Sequence, residues 1–205
     1  YGPLAPVESL GRVAAALATT GVTPGEIDTV LVSHLHPDHI GGLLAADGKA
    51  RFPNATIALH ADEAAHWLPD AALAKAPDGA KPYFENARKV ISAYEGRVQE
   101  HRGGEVAPGI VAVPLPGHTP GHVVFHHAPS KFAMVGDVLF QNGIGRWDFP
   151  RGNLEDLLHS ITHKLWPLGD DVTFVPGHGP VSTFGQERRT NPYVSDEAIA
   201  RGVPA

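Results

Sequence analysis

A layered α/β fold is predicted by three observations. Strand-like segments alternate with segments of helical spacing along the chain. Four of the strands stop at a histidine or aspartate beside a turn-forming residue. The length, 205 residues, suffices for one domain with a sizeable core and is short for two. We therefore expect a single domain over 1–205.

The elements follow in order. "PVESLGRVAAALATTG" has helical spacing, with Gly21 as its stop. Thr29 to Ser33 reads as a buried strand after a turn, and "IGGLLAAD" as a short helix. "FPNATIALH" is a turn and strand, and "ADEAAHWL" a helix. Pro69 to Pro82, rich in Ala, Pro, Asp and Gly, is expected to be a mobile loop. "YFENARKVISAYEG" returns to helical spacing. "GGEVAPGIVAVPLPGHTPGHVVFHH" reads as strand, turn, strand, and "KFAMVGD" as another strand. "NLEDLLHSITHKLWPLG" is an amphipathic helix with Asn153 as N-cap. "VTFVPGH" is the last strand, followed by a tail of loop and a short helix.

Composition narrows the function. The net charge of −6 offers no basic face for phosphates, which argues against a nucleic-acid partner. No apolar run is long enough to span a membrane, and no signal peptide is expected. Cysteine is absent, which removes disulfides, thiolate ligands and a cysteine nucleophile, and fits a reducing, cytoplasmic compartment. There is no Gly-x-Ser-x-Gly elbow.

The strand ends carry the chemistry. Thr29–Ser33 runs into His34, His36, Asp38 and His39; Val111–Pro114 into His118; Phe132–Val135 into Asp137; Val172–Val175 into His178. Pro37, Gly117, Gly136 and Gly177 stand beside these stops, where glycine permits the turn that aims a side chain inward. Loops at strand ends, held by a rigid sheet, are where binding and catalysis concentrate. Imidazole and carboxylate donors without thiolate suit zinc first, with iron or manganese as alternatives. These seven residues are enough for two divalent ions that share one carboxylate. Two ions about 3.5–4 Å apart can clamp a substrate and lower the pKa of bound water to about 7.

"HLHPDH" matches the His-x-His-x-Asp-His signature of the metallo-β-lactamase superfamily, and "GHTPGH", "VGDVLF" and "PGHGP" resemble its remaining ligand motifs in the same order. The resemblance implies an αββα sandwich in which His34, His36 and His118 hold one ion, Asp38, His39 and His178 the other, and Asp137 bridges them. It implies a hydrolase whose bridging hydroxide attacks a carbonyl or phosphoryl centre, with Asp38 and Asp137 fixing the ions and orienting or receiving the proton. Only 33 residues precede His34, so part of the first sheet is expected to be lacking and a homo-oligomer could supply partner strands.

Two branches of that superfamily are similar to different stretches. Up to about Val135, "FPNATIALHADEAAHWL" and "KAPDGAKPYFENARKV" resemble the methyl parathion hydrolase and lactonase branch. From Gly136 to about Val194, "GDVLFQNGIGRWDFPRGN" and "VPGHGPVSTFGQERRTNPYV" resemble small glyoxalase II (hydroxyacylglutathione hydrolase-like) proteins, and this is the closer match. We read the chain as a mosaic, natural or constructed, with a junction near 136. The expected substrates are small molecules: thioesters or esters of the glutathione type, with lactones or organophosphates as the alternative. A mono-iron persulfide dioxygenase and an inactive metal-binding shell are the competing readings.

Other residues have blander expectations. His122 is read as supporting a ligand by hydrogen bonding. His60 is assigned to packing, and His66, His101, His126, His127, His159 and His163 to surface or core. Trp67, Tyr83, Phe84 and Trp147 suit the core more than a pocket wall. Arg188 and Arg189 suit either a substrate carboxylate or a solvated face. Asp38 is also expected to cap the helix that follows it.

Overall fold

The computed structural model describes residues 12–202. The chain divides into two compact units, Tyr1–His101 and Arg102–Ala205.

The first unit opens with α1 (Val13–Thr19), which stops just before Gly21, where φ is 76°. The part of this predicted helix before residue 12 lies outside the described residues. β1 (Thr29–Leu31) follows, and Val32 extends it by donating its N–H to the Ala58 carbonyl at 3.1 Å. A helical turn, α2 (Pro37–Ile40), starts at Pro37, whose fixed φ suits a first helical position. Its N-cap is His36, so Asp38 sits inside the turn and does not cap it. "IGGLLAAD" is not a helix beyond a 3₁₀ turn at Gly41–Leu43, because the helical segment begins earlier, at the proline. Arg51 and the Tyr94 hydroxyl hold that turn by donating to the carbonyls of Gly42, Leu44 and Leu43.

β2 (Thr56–His60) lies between β1 and β3 (Val98–His101) in a parallel sheet of three strands, β1-β2-β3. The connection from β2 to β3 carries α3 (Ala61–Trp67), α4 (Asp70–Lys75) and α5 (Lys81–Ser92). α4 corrects the expected loop from Pro69 to Pro82. Its six residues are set by Pro69 at the N-cap, and the surrounding prolines and glycine hide so short a helix. In α5 the buried Phe84, Ala87, Val90 and Ile91 recur at helical spacing and pack with Leu35, Ile57, Leu59 and Trp67 in one apolar core.

The second unit is built on a six-stranded mixed sheet, ordered β11-β10-β7-β6-β5-β4. β4 (Gly104–Ala107) and β5 (Ile110–Pro114) form a hairpin across Gly109, φ 73°, so the expected strand, turn, strand is three strands with β6 (Val123–His127). β7 (Phe132–Gly136) is antiparallel to β6. β8 (Leu139–Phe140) and β9 (Gly143–Ile144) make a two-stranded ribbon after it. α6 (Leu154–Ser160) is capped by the Asn153 side chain, which accepts the Asp156 N–H at 3.0 Å. The predicted helix continues as a π-helical turn, Ile161–Leu165, where the Thr162 hydroxyl donates to the Leu158 carbonyl, and ends around Pro167 and Gly169. β10 (Thr173–Pro176) runs parallel to β7. β11 (Ser182–Thr183), α7 (Phe184–Thr190) and α8 (Asp196–Arg201) complete the chain, with more regular structure than the expected tail.

One face of this sheet, through Val124, Ala133, Val135 and Phe174, packs on Leu157, Ile161 and Leu165 of the α6 segment. A buried carboxyl ties the tail to the ribbon: Glu187 accepts from the Ser182 hydroxyl, the Asn142 N–H and the Asn191 amide.

Candidate metal centre

In the first unit, β1 delivers four candidate ligands to one short segment. His34 and His36 are buried, and their rings meet edge to face with centroids 4.7 Å apart. The His39 ring lies 4.1 Å from that of His34, and its Nε2 is 3.6 Å from the Asp38 carboxylate. The short turn of α2, which starts right after His36, folds the chain back so that His39 returns to the His34 ring. Ser33 Oγ contacts His34 Nδ1 at 3.1 Å, and His36 packs on Trp67 and Tyr83 at 5.4 and 5.9 Å. Trp67 and Phe84 are core residues, as expected. Beneath the segment the buried Glu63 side chain accepts the Leu35 N–H, a support that the sequence did not reveal.

In the second unit, three strand ends converge. Asp137 Oδ2 lies 4.0 Å from His118 Nε2 and 3.4 Å from His178 Nε2. Asp137 and His118 are buried, whereas the His178 side chain is 58% exposed, which leaves one side open to solvent. Gly117 (φ 129°) and Gly136 (φ 52°) supply the turns predicted there; after His178 it is Gly179 (φ 86°), not Gly177, that takes the left-handed conformation.

The loop that carries His118 is clamped by the α6 segment. Lys164 Nζ, Ser160 Oγ and the Asn153 N–H donate to the carbonyls of Pro114, Pro116 and Gly117 at 2.7, 3.1 and 2.8 Å. Burial pushes the Lys164 ammonium below its ordinary pKa, with Asp156 opposing that shift. A Cβ at Gly117 would lie 2.5 Å from the Leu157 backbone, so helix and loop are in contact because this residue has no side chain.

The His118 ring is fixed by chemistry. Its Nδ1 lies 2.7 Å from the Arg146 carbonyl, an acceptor, so Nδ1 carries a proton, and in the neutral ring Nε2 is the atom left to present a lone pair on the Asp137 side. Arg146 is held in turn by a two-pronged pair with Asp148 and by the Phe149 ring, 4.4 Å beneath its guanidinium. Gly145 lets this strand pass: a Cβ there would stand 1.7 Å from the Asp137 carbonyl oxygen. His122 is buried, and its Nε2 accepts the Asp137 N–H at 3.1 Å, the supporting role expected for it.

The remaining candidates lie elsewhere. His60 caps α3 by accepting the Asp62 N–H, which bears out a structural role. Arg188 is engaged by Asp196 and Asp170 at 3.1 and 3.6 Å, which favours an ion-paired surface over substrate recognition. His66 and His126 are buried and His159 and His163 exposed, as a division between core and surface expects.

Comparison with known proteins decides the family. The family model described as "Metallo-beta-lactamase superfamily" matches residues 6–178. The chain belongs to the metallo-beta-lactamase superfamily. This superfamily consists mostly of metal-dependent hydrolases that bind divalent ions. Its hydroxyacylglutathione hydrolase GloC from Haemophilus influenzae is 55% identical over 84 residues, which is 41% of this chain and 40% of that protein. The chain thus spans well under half of that relative's length. The probable metallo-hydrolase YqgX of Bacillus subtilis is 35% identical over 178 residues, 85% of this chain and 78% of that protein. Among solved structures, TTHA1623 in a di-iron-bound form superposes with a TM-score of 0.65 at 28% identity, covering 93% of this chain and 86% of that one. The expected α/β fold class of the superfamily is borne out. No helix among the described residues is long and apolar enough to cross a membrane.

Proposed function

We propose that the protein is a dinuclear, metal-dependent hydrolase of small thioesters or esters, of the glyoxalase II kind. The observation that carries this reading is the approach of His118 and His178, from two other strand ends, to within 4.0 Å of the Asp137 carboxylate, in a chain that also gathers His34, His36, Asp38 and His39 on one short segment. The donor set is imidazole and carboxylate with no thiolate, which fits zinc, iron or manganese. In this reading His34, His36 and His118 would hold one ion, Asp38, His39 and His178 would hold the other, and Asp137 would be available to both. Zinc is the first choice. Such a pair supplies an acidified water and a polarised electrophilic oxygen.

The residues of the chain do the rest. The Arg146 carbonyl keeps the His118 proton on Nδ1, so the ring cannot turn to present an N–H at the centre. His122 accepts the Asp137 N–H and so fixes the backbone from which the carboxylate leaves, which supports the reading of Asp137 as a shared ligand and proton acceptor. Asp38, partly exposed, has access to solvent protons and is the second candidate to orient or receive one. The similarity to hydroxyacylglutathione hydrolase GloC supports thioesters as the substrate class.

Metal content of the purified protein, paired with turnover of a thioester, lactone and phosphotriester panel, tests the proposal. Two zinc-like ions per chain and thioester hydrolysis are expected. One iron per chain, with oxygen uptake when a glutathione persulfide is added, would favour persulfide oxidation instead. A folded, metal-loaded chain inert across the panel would leave only a metal-binding shell.

A further inference from the structure

Glu63 stands in the first turn of α3, 28 positions after Leu35, and its side chain is fully buried. Its Oε1 accepts two hydrogen bonds, from the Leu35 N–H at 2.9 Å and from the Trp67 indole N–H at 2.6 Å. The Leu35 N–H belongs to the peptide that joins His34 to Leu35, so its direction sets how the two flanking imidazoles leave the backbone. Trp67 is the residue whose ring packs against His36. A single carboxyl oxygen therefore links the backbone between the two histidines to the indole that seats one of them. Burying a carboxyl is expensive where packing alone is needed, and an apolar side chain would fill the same space at lower cost.

We propose that Glu63 is the positioning residue for the His34–His36 half of the metal centre, acting through the Leu35 N–H and the Trp67 indole. The inference rests on the metal-centre reading above and adds a residue outside the ligand motifs. It sets metal affinity and coordination geometry without touching substrate. The carboxyl holds the His34–Leu35 peptide, and the indole it also holds packs against the His36 ring. Losing it frees the peptide to rotate, and the two rings no longer start from a preset arrangement.

The test uses the full chain as wild type and as Glu63→Gln, Glu63→Asp and Glu63→Ala. Zinc affinity is measured by competition with a chromogenic chelator, geometry by the visible spectrum of the cobalt-loaded protein, and folding by melting of the metal-free protein. Glu63→Ala and Glu63→Asp, which remove or withdraw the acceptor, should weaken zinc binding about 10–100-fold and alter the cobalt spectrum. Glu63→Gln keeps an acceptor oxygen at the same reach and should remain near wild type in both. If Glu63→Ala does not fold, the contrast between Glu63→Asp and Glu63→Gln decides the matter. Variants that lose only melting temperature, with unchanged affinity and spectrum, would reduce Glu63 to a packing role and leave the metal centre standing. A wild-type protein that binds neither zinc nor cobalt would overturn the metal-centre reading itself, and this inference with it.

Discussion

The backbone N–H of Asp137 donates to His122 Nε2 at 3.1 Å, so an imidazole 15 residues away holds the start of the aspartate's own turn. His122 must present a lone pair at Nε2 to do so, which places its proton on Nδ1. Replacing His122 with alanine should leave the Asp137 N–H buried without its acceptor and loosen the carboxylate. Metal affinity and kcat/KM are expected to fall together by about 10–100-fold, the usual effect of removing a group that orients a ligand. Glutamine, whose amide oxygen can accept, should recover part of the loss. Chelator competition and steady-state kinetics on the two variants check this.

Substitution of the proposed ligands should have a more severe effect. His36→Ala and Asp137→Ala are expected to abolish turnover, Asp137→Ala through loss of the shared carboxylate and His36→Ala through loss of one imidazole. Chelation of the wild type should do the same, and added zinc should restore it. Full activity in either variant with unchanged metal content would contradict the assigned ligand set.

The candidate ligands were legible because their signal is local. Spacing such as His-x-His-x-Asp-His stays within one turn, and each later ligand follows its strand within a few residues. Their supports were not legible. Glu63 lies 28 positions from the peptide it holds, and Arg146 lies 28 positions from His118 and acts through a backbone carbonyl, which any residue type provides. The same logic separates the elements. β2 was readable as a short apolar run after a turn, and α5 from its helical spacing. α4 was not, since six residues between prolines give no period to count. β8 and β9, two residues each, fall below any sequence signal and depend on pairing with each other.

Glu187 gives a test of stability away from the ligands. It is fully buried and accepts from Ser182, Asn142 and Asn191, so it fastens α7 to the ribbon that precedes Gly145 and Arg146. Glu187→Ala strands the Ser182 hydroxyl and the Asn142 N–H, while the Asn191 amide keeps the Phe140 and Gly143 carbonyls, and should cost about 3 kcal/mol, the size expected when a buried hydrogen-bonded carboxyl is removed. Glu187→Gln keeps an acceptor and should cost less. Chemical denaturation of the metal-free protein measures both.

His126 predicts an acid-side loss of stability. It is buried in β6 with no hydrogen-bond partner for Nε2 among the described residues, and burial, aided by His127, holds its pKa below the ordinary 6.5. His101 is lowered in the same way, by burial first and His60 second. Below about pH 6.5 the unfolded chain takes up protons that the folded chain refuses, so stability is lost as pH falls through that value and is unaffected above it. Melting of the metal-free protein in chelator should therefore drop between pH 7.5 and pH 5.5. In His126→Leu, which fills the site without a titrating group, the drop over the same interval should be smaller. An equal drop in wild type and variant would show that this histidine does not contribute to acid sensitivity, whatever the leucine does to stability at pH 7.5.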